Sequence, residues 1–201
     1  MKKNTEKLNC KDVILDNDVG TDILNNQIVS VIGYGNQGRA QALNLYDSGV
    51  NISVGLKRSS NSNKIAQNDG LNTLTIEDAV KEGNIISILI SDKYIAEVWK
   101  ESIFPYLQEG QTILFSHGYN VHYKLIEIPD FVNIVMVAPS AGGNLVREEF
   151  KNGKGIPTLL AVYQDYTGDS DEIIKAYSKS IGGTRVCAFY STFKEETETD
   201  L

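Results

Sequence analysis

Apolar positions in this chain come in short runs that alternate with polar, helix-length stretches. Ile28-Val29-Ser30-Val31-Ile32 and Ile85-Ile86-Ser87-Ile88-Leu89-Ile90 are nearly all apolar, as strands of a parallel sheet covered on both faces are. Asn51–Leu56, Thr112–Ser116, Asn133–Ala138, Thr158–Tyr163 and Thr184–Tyr190 predict further strands. Helices are expected at Gln37–Ser48, closed by Gly49, and at Ile76–Glu82, with Thr75 as N-cap and Asp78 completing a capping box. Two more are expected at Tyr94–Leu107, where Pro105 disturbs the last turn, and at Ser170–Ile181, ended by Gly182-Gly183. This alternation predicts an α/β fold, a doubly wound, mostly parallel sheet with helices on both faces. Residues 1–27 are polar and rich in Asn and Asp, and predict a loose lead-in with a short edge strand at Val13-Ile14-Leu15.

Between the first run and the first helix lies Gly33-Tyr34-Gly35-Asn36-Gln37-Gly38. A G-x-G-x-x-G turn in that strand–turn–helix context is the fingerprint of a Rossmann-like dinucleotide site. Gly33 permits the tight turn, Gly35 lets a pyrophosphate approach the backbone, and Gly38 lets the helix pack closely on the strand. Tyr34, Asn36 and Gln37 complete the candidate cofactor-binding turn, whose N–H groups face the anion with the helix dipole behind them. NAD sites carry an acid at the end of the second strand for the ribose 2′-hydroxyl. Gly55 to Ser62 holds no acid but two cations and three hydroxyls. Arg58 can hold a 2′-phosphate bidentately, Lys57 adds charge, and Ser60 and Ser62 can donate to the same oxygens. The expected cofactor is therefore NADP(H); a solvated basic loop is the alternative reading of the same residues.

A length of 201 residues bounds one sizeable domain. The net charge of -7 argues against nucleic acid and anionic membranes as partners. No apolar run approaches the ~20 residues of a membrane span. Met1-Lys2-Lys3-Asn4 lacks the apolar core of a secretory signal. Cys10 and Cys187 form no metal or redox spacing and read as reduced thiols of a cytoplasmic protein. The only histidines are His117 and His122, which argues against a histidine-built metal site. His117 follows a predicted strand, at the sheet edge where ligands bind; taken alone it reads first as a loop histidine with a structural hydrogen bond. His122 reads as surface. Glu196 and Asp200 stand four apart and share a face if their segment is helical. Such oxygens suit Mg²⁺, although residues 195–200 taken alone read first as a solvated acidic tail.

These stretches together resemble ketol-acid reductoisomerase. The similarity runs from the glycine turn through Ala42-Leu43-Asn44-Leu45 and Asp47-Ser48-Gly49-Val50 to Phe115-Ser116-His117-Gly118-Tyr119-Asn120 and Met136-Val137-Ala138-Pro139. It continues at Leu145–Phe150 and Gly153–Pro157 and ends with Thr192–Leu201. The resemblance implies magnesium-driven alkyl migration in a 2-hydroxy-2-alkyl-3-keto acid, 2-acetolactate or 2-aceto-2-hydroxybutyrate. Reduction by NADPH to a 2,3-dihydroxy acid of valine and isoleucine biosynthesis follows. It places His117 beside the nicotinamide, makes Asp200 a metal ligand, and has Glu196 support the catalytic site. It divides the chain into the lead-in 1–27, an NADP-binding Rossmann-like domain 28–190, and the start of a metal-site motif 191–201. A helical domain, separate or continuing the chain, or a second copy is the expected partner.

Two departures stand out. Ser140 occupies the family's lysine position after Pro139, and Gly142 replaces a proline. The sequence also reaches Leu201 before the family's second acidic ligand, so its Mg²⁺ site is expected to be incomplete and the chain to bind NADPH without full turnover. A diverged NADP-dependent ketone reductase without isomerase activity, and a non-catalytic nucleotide-binding remnant, are the alternatives.

Overall fold

The computed structural model describes residues 13–200; residues 1–12, with Cys10 and the basic N-terminus, and Leu201 lie outside the described residues. The described strands are β1 (Val13–Ile14), β2 (Ile28–Ile32), β3 (Asn51–Gly55), β4 (Thr73–Leu74), β5 (Ile85–Ile88), β6 (Thr112–Phe115), β7 (Asn133–Pro139), β8 (Thr158–Gln164) and β9 (Ala188–Tyr190). The helices are α1 (Asn36–Asp47), α2 (Ser62–Asn68), α3 (Ile76–Glu82), α4 (Asp92–Val98), α5 (Tyr119–His122), α6 (Gly143–Lys151), α7 (Ser170–Ser180) and α8 (Phe193–Asp200). One sheet runs in the order β1-β9-β8-β7-β6-β5-β2-β3-β4.

Strands β2 to β7 are parallel. The strand order reverses at β2, which lies between β3 and β5. A ligand crevice opens at such a switch point, beyond the carboxyl ends of the strands. Side chains alternate between two apolar layers. Val29, Val31 and Val54 face Leu45 of α1 and Ile174 of α7. Ile32, Ile86, Ile88 and Ile113 face Ile76 of α3 and Trp99. The serines that interrupt the apolar runs are buried and paired, Ser30 with Ser53 at 3.0 Å and Ser87 with Tyr177 at 2.9 Å, so their hydroxyls do not carry an unmet burial cost.

The doubly wound, mostly parallel expectation is met, with one reversal. Strand β8 runs antiparallel to β7, β9 is parallel to β8, and β1 is antiparallel to β9. The connection through α6 begins and ends at the same edge of the sheet: Thr158 lies opposite Pro139, and the Ser140 N–H donates to the Pro157 carbonyl at 2.9 Å. From Val13 onward the lead-in is packed rather than loose. Its edge strand pairs with β9, Val19 and Leu24 are buried, and the Lys179 ammonium donates to the carbonyls of Asp16 and Val19 at 2.7 Å each.

The helix expected over residues 94–107 is α4 followed by a wider turn at Trp99–Ile103 and a tight turn at Phe104–Tyr106. Pro105 lacks the N–H that a continuing helix needs. The last strand is shortened to β9 because Gly183–Arg185 forms a helical turn first.

Helix α6 crosses the start of α1 at very close range. A Cβ on Gly143 would lie 2.2 Å from the Asn36 carbonyl oxygen. Gly143→Ala is therefore expected to cost roughly 1–3 kcal/mol of stability, as overpacking does. An unchanged midpoint in urea denaturation would contradict this.

Candidate functional site

The chain leaves β2 into a turn whose geometry only glycine permits at two positions. Gly33 has φ +100°, and a Cβ there would lie 2.6 Å from the Ile90 side chain. A Cβ on Gly38 would lie 2.4 Å from the Gly33 carbonyl oxygen. Gly35 differs: nothing stands within 4 Å of its Cβ position. Helix α1 begins at Asn36 with Gly35 as a cap that offers no side chain. Its first N–H groups have no intrahelical acceptor and lie beside the open space over Gly35.

Tyr34 is buried and anchors this turn. Its hydroxyl donates to Asp69 Oδ2 at 2.9 Å, just past α2. The same carboxylate accepts Arg39 Nε and Nη2 at 2.8 and 2.9 Å. The bidentate guanidinium holds the Asp69 carboxyl below the usual carboxylate range, with the Tyr34 hydroxyl assisting. Burial, and then the Asp69 carboxylate, pushes the Tyr34 hydroxyl up.

On one side of the turn lies a cleft of about 400 Å³, floored by Ile76 and Ile90 and rimmed by Lys57, Ser60 and Ser62. Asn63 shapes this rim. Its amide donates to the carbonyls of Lys57, Arg58 and Ser60 at 3.0, 3.4 and 3.0 Å. Of the predicted residues, Lys57, Ser60 and Ser62 thus come together. Arg58 lines a neighbouring hollow with Glu77 and Asp78.

On the other side, Asn36, Gln37, Phe115, Ser116 and His117 line a cleft of about 370 Å³. His117 and Gln37 also border a second cleft of about 560 Å³ with Ser140, Glu196 and Thr199. Helix α8 supplies Glu196. Phe193 is buried, with ring centroids 6.4 Å from Phe115 and 5.7 Å from Tyr163, and the Thr192 hydroxyl accepts the Glu195 N–H at 3.0 Å. This seats the Glu196 carboxylate 2.8 Å and 3.0 Å from His117 Nδ1, where it also accepts the Gly118 N–H at 2.7 Å. A Cβ on Gly118 would lie 2.4 Å from the Phe193 carbonyl oxygen, so the loop can lie this close to α8.

Asp200 follows one turn past Glu196 on α8. Among the described residues no three His, Cys, Asp or Glu side chains gather to hold a metal ion. Both Glu196 oxygens already accept hydrogen bonds. His122 stands apart, its ring 4.7 Å from that of Tyr123. Asn63, Asp69 and Gln41 were not legible as site residues. Only Gln41 carried a signal, since it stands one helical turn past Gln37.

Comparison with known proteins agrees with this geometry. Residues 23–187 match the family described as acetohydroxy acid isomeroreductase, NADPH-binding domain. The chain is 51% identical over 189 residues to the ketol-acid reductoisomerase (NADP(+)) of Pyrococcus abyssi, covering 94% of this chain and 57% of that protein. Identity to the protein of the same name from Methanosphaera stadtmanae is 49%, with the same coverage. An NADH-preferring ketol-acid reductoisomerase from an uncultured archaean superposes with a TM-score of 0.91 at 35% identity, covering 94% of this chain and 58% of that one. The chain thus spans little more than half the length of these relatives. A pyrroline-5-carboxylate reductase from Coxiella burnetii, at 15% identity and a TM-score of 0.66, shares the fold alone.

The Asp69 pair gives the site a pH signature. Its depressed carboxyl contributes stability above the ordinary carboxylate range, and that contribution is lost as pH falls through the folded value. Asp69→Asn should lower the urea midpoint at about pH 7 and converge with the wild type once pH has fallen below the folded value. Equal midpoints at neutral pH would contradict the pairing.

Proposed function

The chain belongs to the ketol-acid reductoisomerase family, and from that premise we propose that it forms the NADP(H)-binding part of such an enzyme. The observation that carries the proposal is the open space over Gly35 at the strand switch point, bounded by Gly33 and Gly38 held in contact. A pyrophosphate fits there, because backbone N–H groups can be approached without a side chain in the way. The adenosine half then lies toward Ile76 and Ile90, where Lys57, Ser60 and Ser62 meet the 2′-phosphate. Arg58 adds charge from the same loop.

The nicotinamide half lies on the other side, toward Gln37, Phe115 and His117. Bound NADPH supplies a hydride. His117 borders both clefts on that side, where cofactor and substrate would meet. Glu196, as a carboxylate, accepts from His117 Nδ1 and fixes the plane of the ring.

The whole enzyme, in this proposal, moves an alkyl group in 2-acetolactate or 2-aceto-2-hydroxybutyrate and reduces the product to a 2,3-dihydroxy acid in the cytoplasm. Asp200 would be one holder of magnesium, which would polarise the substrate oxygens. The described residues gather no metal-holding cluster of their own, so the remaining ligands and a helical domain are assigned to the length of the relatives that this chain does not span. Ser140 brings a hydroxyl but no charge to the cleft of His117 and Glu196. That favours, as a second reading, an NADP-dependent ketone reductase without the isomerase step.

Fluorescence titration tests the cofactor. NADPH should bind roughly tenfold or more tightly than NADH, the scale of hydrogen bonds to a charged group. Lys57→Ala with Ser62→Ala should erase that difference while leaving NADH affinity in place. Equal affinities, unchanged by these substitutions or by Arg58→Ala, would overturn the assignment. With magnesium and 2-acetolactate, the 201-residue chain alone should not oxidise NADPH; sustained turnover would contradict the assignment of the remaining metal ligands to the unspanned length of the relatives.

A further inference from the structure

Gln41 lies one turn past Gln37 on α1 and is fully buried. Its amide is fully engaged. Nε2 donates to Gln37 Oε1 at 3.1 Å and to Ser116 Oγ at 3.0 Å, and Oε1 accepts the Tyr177 hydroxyl at 2.9 Å. Tyr177 comes from α7, is also fully buried, and shares a hydrogen bond with Ser87 of β5 at 2.9 Å. Burial pushes the Tyr177 hydroxyl well up, so it remains a protonated donor. Outward from Gln41, the Gln37 amide donates to the Ala141 carbonyl at 2.8 Å and the Ser116 hydroxyl to the Val137 carbonyl at 3.0 Å.

One buried amide therefore ties the glycine turn to the end of β6, next to His117, and through Gln37 to the loop that bears Ser140. These are the walls of the two clefts on the nicotinamide side. A buried Gln–Tyr–Ser chain is costly unless every group is satisfied, and apolar side chains of the same size would fill the space without that demand. We propose that Gln41 and Tyr177 are positioning residues that hold Gln37 and Ser116 in register for the nicotinamide half of the cofactor. The proposal rests on the NADP(H) reading above. The adenosine rim is held separately, by Asn63, so the two halves of the site respond independently.

Calorimetric titration of the full chain separates them, with NADPH as one probe and adenosine 2′,5′-bisphosphate as the other. The bisphosphate lacks the nicotinamide. Gln41→Met should weaken NADPH by roughly tenfold, the scale of one or two lost hydrogen bonds, and leave the bisphosphate within about twofold. Tyr177→Phe, acting through Gln41, should weaken NADPH by a smaller factor in the same pattern. The double variant should be no worse than Gln41→Met, since both act along one path. Equal weakening of both probes would show a merely structural role and overturn the proposal, as would NADPH affinities unchanged in both variants. If Gln41→Met fails to fold, the milder Tyr177→Phe decides by the same comparison. A wild-type chain that binds neither probe contradicts the NADP(H) reading itself, and this inference with it.

Discussion

The middle of the cleft takes its position from the contact between Gly38 and the carbonyl of Gly33. With a Cβ position only 2.4 Å from that oxygen, α1 can sit directly on the end of β2. This aims the first N–H groups of α1 across the switch point of the sheet. It leaves Gly35 over open space. Tyr34, turned to Asp69 and Arg39, locks the outside of the same turn. Gly143, pressed against Asn36, locks it from the side of α6. A side chain at Gly33, Gly38 or Gly143 would therefore move the anion-facing end of the helix, with consequences beyond the lost stability.

Around that fixed turn the structure builds two half-sites of different character. The side proposed for adenosine is an apolar floor with a rim of Lys57, Glu97 and serine hydroxyls, and its loop is pinned by Asn63. Lys57 brings a cation to that rim, 4.0 Å from the Glu97 carboxylate, and one such point of charge suits a local phosphate better than an extended polyanion. The other side is polar and cross-braced. Glu196 reaches back from α8 to hold His117 and Gly118, and Gln41 reaches forward from α1 to Ser116 on the preceding residue. The loop after β6 is thus held from both directions, and pre-organisation of this kind suits a group that must meet a cofactor in one geometry.

Much of the fold was legible in the sequence, because strands buried on both faces leave unbroken apolar runs and the glycine turn carries its own geometry. Strand direction was not legible: Thr158–Gln164 has the same pattern whichever way it runs, and the reversal depends on α6 returning the chain to the same sheet edge. Helix α6 itself opens on two glycines, which read locally as a loop. The lead-in read as loose because two buried side chains, Val19 and Leu24, are sparse among polar neighbours. At the site, the glycine turn followed from local chemistry, while the roles of His117 and Glu196 came through family resemblance. Arg58 lines a neighbouring hollow with Glu77 and Asp78, a placement that the composition of its loop did not show. Gln41 and Tyr177 are 136 residues apart, and only the folded sheet brings them together.

The central claim is that a dinucleotide spans the Gly33–Gly38 turn, with its two ends on opposite sides. Titrating NADPH into ¹⁵N-labelled protein and following the backbone amide signals tests this most directly. The account predicts saturable shifts at Asn36, Gln37 and Gly38, joined by Ser60 and Ser62 on one side and His117 and Gly118 on the other. Arg147 and Lys151, at the α6 side of a hollow that also reaches Gly35 and Asn36, should stay in place. Shifts confined to Arg147 and Lys151, or an unchanged spectrum at saturating NADPH, would contradict it.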